Sequence, residues 1–451
     1  MPTQLPRGFW TKWVPAFGTL LVALYFAIFL YKHALNIPYH DDILDVLNFL
    51  TQLSQTTDLS YGIGLFFEGH NEHRTLASRI IYSLAFLFEG EANFRTLTFL
   101  GNLGIPLLLT MLYITVRRHE HAWLILLPAA LVLLQLRTYG LYFFSMSAFA
   151  YFYVYFYGFA AIACLHNVNS RRFMAAAIFA TLGTFTLASG QLIWIIGLLS
   201  LLHQRFILRR GSYAYPFAWL ICTVLVLAIW RIDYETQRSM TVTLGNLADI
   251  PLHTLLFFLT LCGSAIVDNN VSLAVGAGAI MVCAFIYSAL RNLSRDNITL
   301  ELFVAYILIT ILSITLGRAA FGELPFALLS RYAFSSTLLL TTTIVMCLYR
   351  APRSVRKPGT YFTVLVLAIG YWLYSFQIYS GALQWELEDR VSRYNKNQYW
   401  VIPYPIKETN AIVKESIALD IYHPPARPHP TPTVAPEAKR RIFGPLLRAI
   451  E

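Results

Sequence analysis

Residues 14–31 read VPAFGTLLVALYFAIFLY, an apolar run with no charge inside it and with Arg7 and Lys12 ahead of it. As a helix these 18 residues would extend about 27 Å, close to the ~30 Å hydrocarbon core of a bilayer. No small-residue cleavage site follows, and the run exceeds the usual core of a signal peptide, so it reads as a retained signal-anchor. The pattern then repeats near 94–116, 122–136, 147–166, 172–189, 191–208, 214–230, 271–290, 299–316, 333–349 and 361–380, giving eleven segments. With 57% hydrophobic residues and a mean hydropathy of +0.55, a soluble chain would lack the polar surface to cover itself. The expected fold class is all-α, a polytopic transmembrane helical bundle, because a lipid-exposed backbone has to satisfy its own hydrogen bonds.

Two further apolar stretches, near 75–89 and 251–266, are short. By length they either cross, lie at the interface or re-enter. Charge separates these options. If neither crosses, Arg117/Arg118, Arg171/Arg172, Arg205/Arg209/Arg210, Arg291/Arg295 and Arg350/Arg353/Arg356/Lys357 share one side with Arg7 and Lys12. The positive-inside rule then predicts a cytoplasmic N-terminus and an external C-terminus in a bacterial inner membrane. The net charge of +10 is accounted for by these loops and does not argue for nucleic acid. Cys164, Cys222, Cys262, Cys283 and Cys347 all fall in apolar segments, and no C-x-x-C or zinc spacing occurs.

Three regions follow from composition: a transmembrane part over 1–380, a short external segment over 381–422, and a Pro-rich linker with a basic tail over 423–451. Segments 172–189 and 191–208 meet at Ala188-Ser189-Gly190-Gln191. That junction is either a tight hairpin or a broken helix pair lining a cavity.

Only 13% of the chain is Asp, Glu, Lys or Arg, yet one loop concentrates ionisable groups. It holds Pro38-Tyr39-His40-Asp41-Asp42-Ile43-Leu44-Asp45 and then Glu68-Gly69-His70-Asn71-Glu72-His73-Arg74. Ionisable groups beside a membrane are costly and mark functional sites. Pro38 can open a helix with the aspartates in its early turns, where the dipole favours anions. A helix would also bring His70, His73 and Arg74 within one turn. A carboxylate here can take a proton from a hydroxyl or ligate a cation; Asp41, Asp42, His70 and His73 are the candidate ligands for a divalent ion. Arg74 suits a phosphate. A third cluster, Gly317-Arg318-Ala319-Ala320-Phe321-Gly322-Glu323 with Ser330-Arg331-Tyr332, lies at the same face. Arg318 and Arg331 break the positive-inside pattern there and call for an anionic partner, either a ligand phosphate or an ion pair.

Taken in order, His40-Asp41-Asp42, Asn71-Glu72-His73-Arg74, Gly190 to Trp194 and Ser330-Arg331-Tyr332 resemble the motif series of the GT-C superfamily of membrane glycosyltransferases, of bacterial O-antigen-modifying or unassigned type. The resemblance covers roughly residues 10–422. It implies a polyprenyl-phosphate-linked sugar as donor and a glycan or glycolipid acceptor outside the cytoplasmic membrane. Asp41 or Asp42 would be the catalytic aspartate, acting as general base, and His40, Glu72, His73, Arg74, Arg318, Arg331 and Tyr332 would bind substrate. The tail is too short for the soluble carbohydrate-binding module of better-studied members. A transporter or flippase of a lipid-linked substrate, or a non-catalytic assembly subunit, is the alternative. Charges at span ends and the lack of a repeat count against transport.

Overall fold

A helix either has the length and polarity to cross a bilayer or it does not, and this sorts the chain. The computed structural model describes residues 7–71, 73–232, 234, 250–320, 322–352, 357–397 and 405–425. Among these, ten helical stretches are long and apolar enough to cross. The first is Trp13–His33, within α1 (Arg7–His33). The second, Phe94–Val116, joins α5 (Phe94–Asn102) to α6 (Gly104–Val116). Ala122–Tyr142 contains α7 (Ala122–Leu133) and the short α8 (Tyr139–Tyr142). Ser145–Leu165 is α9, and Ala188–Ile207 contains α11 (Leu192–Leu202). The remaining five are α12 (Ala214–Arg231), α14 (Val271–Asn292), α15 (Thr299–Arg318), α16 (Ala333–Arg350) and α17 (Pro358–Asn395). The chain is thus a multi-pass helical membrane bundle. The shorter helices are α2 (Asn48–Gln55), α3 (Leu59–Phe67), α4 (Leu76–Glu89), α10 (Ser170–Thr184), α13 (Pro251–Gly263) and α18 (Ile406–Ala418).

Contacts between connecting segments define two ends. At the basic end Gln204 donates to the Leu165 carbonyl at 2.8 Å, His203 meets the Leu293 carbonyl at 2.6 Å, and Arg210 pairs with Asp296 at 3.2 Å. At the other end the loop between α1 and α5 packs on the entries to α9 and α11. Segment 172–189, the eleventh expected span, is the 15-residue α10, yet it too runs between the ends: Phe185, just past it, accepts from Ala77 at 3.1 Å. It stops short because the chain turns back on itself there. A Cβ on Gly190 would lie 1.9 Å from the Gly183 carbonyl oxygen, so only glycine allows this approach.

Helices α4 and α13 do not run between the ends. Thr75, just before α4, bonds Asp45, and Ala92, just after it, donates to Ile421 at 2.7 Å. His253 of α13 meets the Gly322 carbonyl at 3.1 Å, while Ser264 accepts from Arg137 at 3.1 Å. At 13 residues α13 would reach only about 20 Å. Helix α17 runs unbroken through residue 380, where composition suggests a boundary; its 38 residues would extend about 57 Å, well beyond a bilayer core. Past it α18 folds back onto the aspartate loop. Val413, Ile421 and Tyr422 join Val46, Leu47 and Leu50 in one buried cluster, and Thr51 hydrogen-bonds Ser416 at 2.9 Å. The linker and tail beyond residue 425 lie outside the described residues.

Candidate functional site

The aspartate loop does not start a helix at Pro38. His40 takes φ 48°, left-handed backbone that ends any helix begun before it. A π-helical turn, Asp42–Leu47, follows, with Asp41 as its N-cap. Such turns recur at functional sites because they alter side-chain directions over a short distance. Here three nearby carboxylates acquire three different environments.

Asp42 is 2% exposed. Its Oδ1 accepts from the Ser145 hydroxyl at 2.6 Å and from the Met146 backbone N–H at 2.9 Å, and its Oδ2 from the Tyr39 N–H at 3.1 Å. The N-cap of α9, Phe144, has no side chain that can cap. Asp42 therefore caps that helix from another segment, where its charge also meets the positive dipole end. Burial pushes its carboxyl up to about 7, against the lowering effect of these hydrogen bonds.

Asp45 is fully buried. Its Oδ1 accepts from Thr75 at 2.7 Å and from Arg79 Nη2 at 2.9 Å. Arg79 also donates to the Leu65 and Glu68 carbonyls. This pair joins the π-turn to α4 and is structural.

Asp41 is different. Its side chain is 29% exposed and lies 3.6 Å from His70 Nε2. Burial alone would raise its carboxyl, but the His70 contact and the charges of His70, His40 and His73 outweigh that and hold it below the usual carboxylate range. His70 shows the reciprocal effect. Burial disfavours its cation, while Asp41 and Asp45 stabilise it, so its pKa is raised. Burial, then the charge of Arg390, pushes His40 down to about 4.

The second motif forms a β-hairpin, β1 (Gly69–His70) and β2 (His73–Arg74), instead of a helix. Asn71, at φ 52°, makes the reversal, a conformation that Asn tolerates better than most residues. His70 pairs directly with His73, so the expected juxtaposition arises by another route. His73 Nδ1 accepts from Ala188 at 3.2 Å, which seats the hairpin on the α10–α11 break. Arg74 is buried and donates to the Phe67 and Ile232 carbonyls. Glu72 lies outside the described residues.

Arg331 is exposed, with its guanidinium 5.5 Å above Phe326 and 5.0 Å above Tyr332. Its charge adds a small lowering effect on the His40 pKa, behind burial and the charge of Arg390. Tyr332 is buried and packs on Phe326. Arg318 closes α15 at the same end, and its carbonyl accepts from Gly322 at 3.0 Å.

Of the four candidate metal ligands, Asp41 and His70 lie 3.6 Å apart, while the other two are engaged in hydrogen bonds. Both Asp42 oxygens are taken by hydrogen bonds, and His73 uses Nδ1 on Ala188. Among the described residues no three His, Cys, Asp or Glu gather as a metal-binding group.

Sequence reasoning missed the contribution of α17. Arg390 donates to the Phe143 carbonyl and to Glu386, and lies 3.6 Å over the Tyr39 ring. The spacing Glu386/Arg390 and Asp389/Arg393 is an i,i+4 signature that marks a helix continuing past 380. Arg137, buried and bonded to Ser264 and Leu328, gave no such signal, because its partners are distant in sequence. Comparison with protein-family models, curated proteins and solved structures finds no match.

Proposed function

We propose that this chain is a membrane glycosyltransferase that moves a sugar from a polyprenyl-phosphate donor to an acceptor hydroxyl, with Asp41 as general base. The observation that carries this reading is the unequal use of three neighbouring carboxylates. Asp42 caps α9 and Asp45 pairs with Arg79, whereas Asp41 keeps a partly exposed carboxylate among His70, His40 and His73. Asp41 is ionised at neutral pH, and its partial exposure beside His70 leaves it open to an acceptor hydroxyl.

In the step proposed, the acceptor oxygen forms a bond to the anomeric carbon as its proton passes to Asp41. The bond from that carbon to the phosphate oxygen breaks, and its electron pair leaves on the polyprenyl phosphate. Arg331, an exposed guanidinium over Phe326 and Tyr332, stabilises the charge that develops on this leaving group. Attack opposite the leaving group inverts the anomeric centre. No metal is needed.

A site at the end of a membrane bundle suits a substrate anchored by a lipid chain. The distribution of arginines supports the external face of the inner membrane as its location. A lipid extract of a deletion strain tests the reading. Accumulation of a polyprenyl-phosphate sugar is expected, reversed by the wild-type chain but not by Asp41→Asn. An unchanged lipid profile contradicts it.

A further inference from the structure

Arg390 is 4% exposed although it lies near the end of α17 that outruns the bilayer. A buried guanidinium is costly unless its charge is paired and hydrogen-bonded. Arg390 Nε has no partner among the described residues, so its terminal nitrogens and its face carry the contacts. Here one nitrogen donates to Phe143 and another to Glu386, one turn earlier on the same helix, while the face of the guanidinium lies 3.6 Å over Tyr39. Two of these partners flank the joint made by Asp42. The Tyr39 N–H donates to Asp42 Oδ2 at 3.1 Å, and Phe143 precedes Phe144, the N-cap of the helix that Asp42 caps. Between Tyr39 and Asp41 there is only His40, whose left-handed backbone turns the chain. The direction of Asp41 is therefore set by where Tyr39 is held.

We infer that Arg390 is a positioning residue: it clamps Tyr39 against the entry to α9 and so holds the Asp41 carboxylate at His70. This rests on the reading of Asp41 as the base, but the geometry can be tested without turnover. The clamp requires arginine. Only a planar guanidinium can donate in two directions within its plane while stacking its face on a ring; an ammonium cannot. The charge of Arg390 also adds to burial in lowering the pKa of His40, the histidine between the clamp and the base.

The test uses the full-length protein in detergent, with Arg390→Lys, Tyr39→Leu and Glu386→Gln. Water-soluble carbodiimide couples an amine to Asp41, and peptide mass spectrometry gives the extent of coupling against pH. The pH midpoint follows protonation of Asp41, whose charged neighbours are His70, His40 and His73. Arg390→Lys and Tyr39→Leu both keep a positive charge at position 390, so a shift in midpoint reports geometry. Both are expected to move the midpoint up to or beyond the ordinary value of about 3.9. Both should also lower kcat about 10- to 100-fold, as misplacement of a reacting group does, with donor KM within about twofold. Glu386→Gln leaves the stack and the Phe143 bond in place and should shift the midpoint less.

Unchanged midpoints in folded Arg390→Lys and Tyr39→Leu would overturn the inference. So would equal shifts in all three variants that track their loss of melting temperature. If Arg390→Lys does not fold, Tyr39→Leu decides, since it leaves Arg390 intact. Shifted midpoints in a protein whose wild type transfers no sugar would refute the glycosyltransferase reading and leave the clamp standing.

Discussion

Arginines at the two ends of the bundle lead different lives. At the basic end Arg117, Arg118, Arg171, Arg172, Arg209, Arg210, Arg291 and Arg295 are exposed. At the site end Arg74, Arg79, Arg137 and Arg390 are each 3–4% exposed and donate to backbone carbonyls or carboxylates. The exposed set makes surface contacts such as the Arg210–Asp296 pair and the Arg172 bond to the His166 carbonyl, whereas Arg350, at the same end, is a largely buried exception paired with Glu301 at 2.9 Å. The buried set is an internal scaffold that ties loops to helix ends. Arg331 crosses this division, being exposed at the same end as the buried set. The contrast teaches that a charge which violates the topological pattern is either framework or function, and that burial tells the two apart.

The largest effect should come from the framework. Arg79→Ala leaves Asp45 as an uncompensated buried charge, a change that costs about 3–5 kcal/mol. Thermal unfolding in detergent should show a steep loss, with little folded protein recovered. A melting temperature like that of the wild type would erase the distinction between the two sets.

Arg331→Ala should act on donor use instead of on stability. A lost hydrogen bond to a charged phosphate is worth about 1.5–3 kcal/mol, roughly 10- to 150-fold in affinity or rate. Arg331→Lys should rescue it only in part, because an ammonium cannot grip two phosphate oxygens in the same geometry. Normal donor affinity with a lowered melting temperature would move Arg331 into the framework.

Asp42 sharpens the comparison through pH. Its folded pKa, about 7, lies above the ~3.9 of an unfolded aspartate. The folded state therefore holds the proton more tightly. The contribution to stability is fully present below about pH 4 and is lost as pH rises through 7. Asp42→Asn should flatten that decline in a melting-temperature series from pH 4 to 7. An unaltered slope would mean that another group causes it.

The smallest effect belongs to the basic end. Arg210 and Asp296 are 59% and 62% exposed, so Arg210→Ala should change stability by no more than about 0.5 kcal/mol. In a background free of other cysteines, Ser60→Cys should react with an impermeant reagent on intact cells, and Arg210→Cys only after lysis. The reverse pattern would invert the proposed orientation.

The bundle was legible because lipid imposes one demand on every span, a long apolar helix, and the apolar runs display it. Whether α4 and α13 cross was not legible from length, and charge only favoured leaving them out. The interior of the site was less so. The left-handed His40 and the hairpin at Asn71 depend on single backbone conformations that composition does not report. The roles of Asp42 and Arg390 depend on partners 104 and 247 residues away. Sequence spacing brought His70, His73 and Asp41 into one neighbourhood but could not say which aspartate would be left facing solvent.

That last distinction is open to direct measurement. Purified Asp41→Asn, Asp42→Asn and Asp42→Ala are compared for single-turnover sugar transfer and for melting temperature. Asp41→Asn should lower the rate by about 100-fold or more, the scale of a lost general base, with the melting temperature near that of the wild type. Asp42→Asn should keep most of the rate. Asp42→Ala should lose about 0.5–2 kcal/mol of stability through the missing cap. Near-wild-type transfer by folded Asp41→Asn, with the rate lost instead in a stable Asp42→Asn, would contradict the assignment of Asp41 as the base.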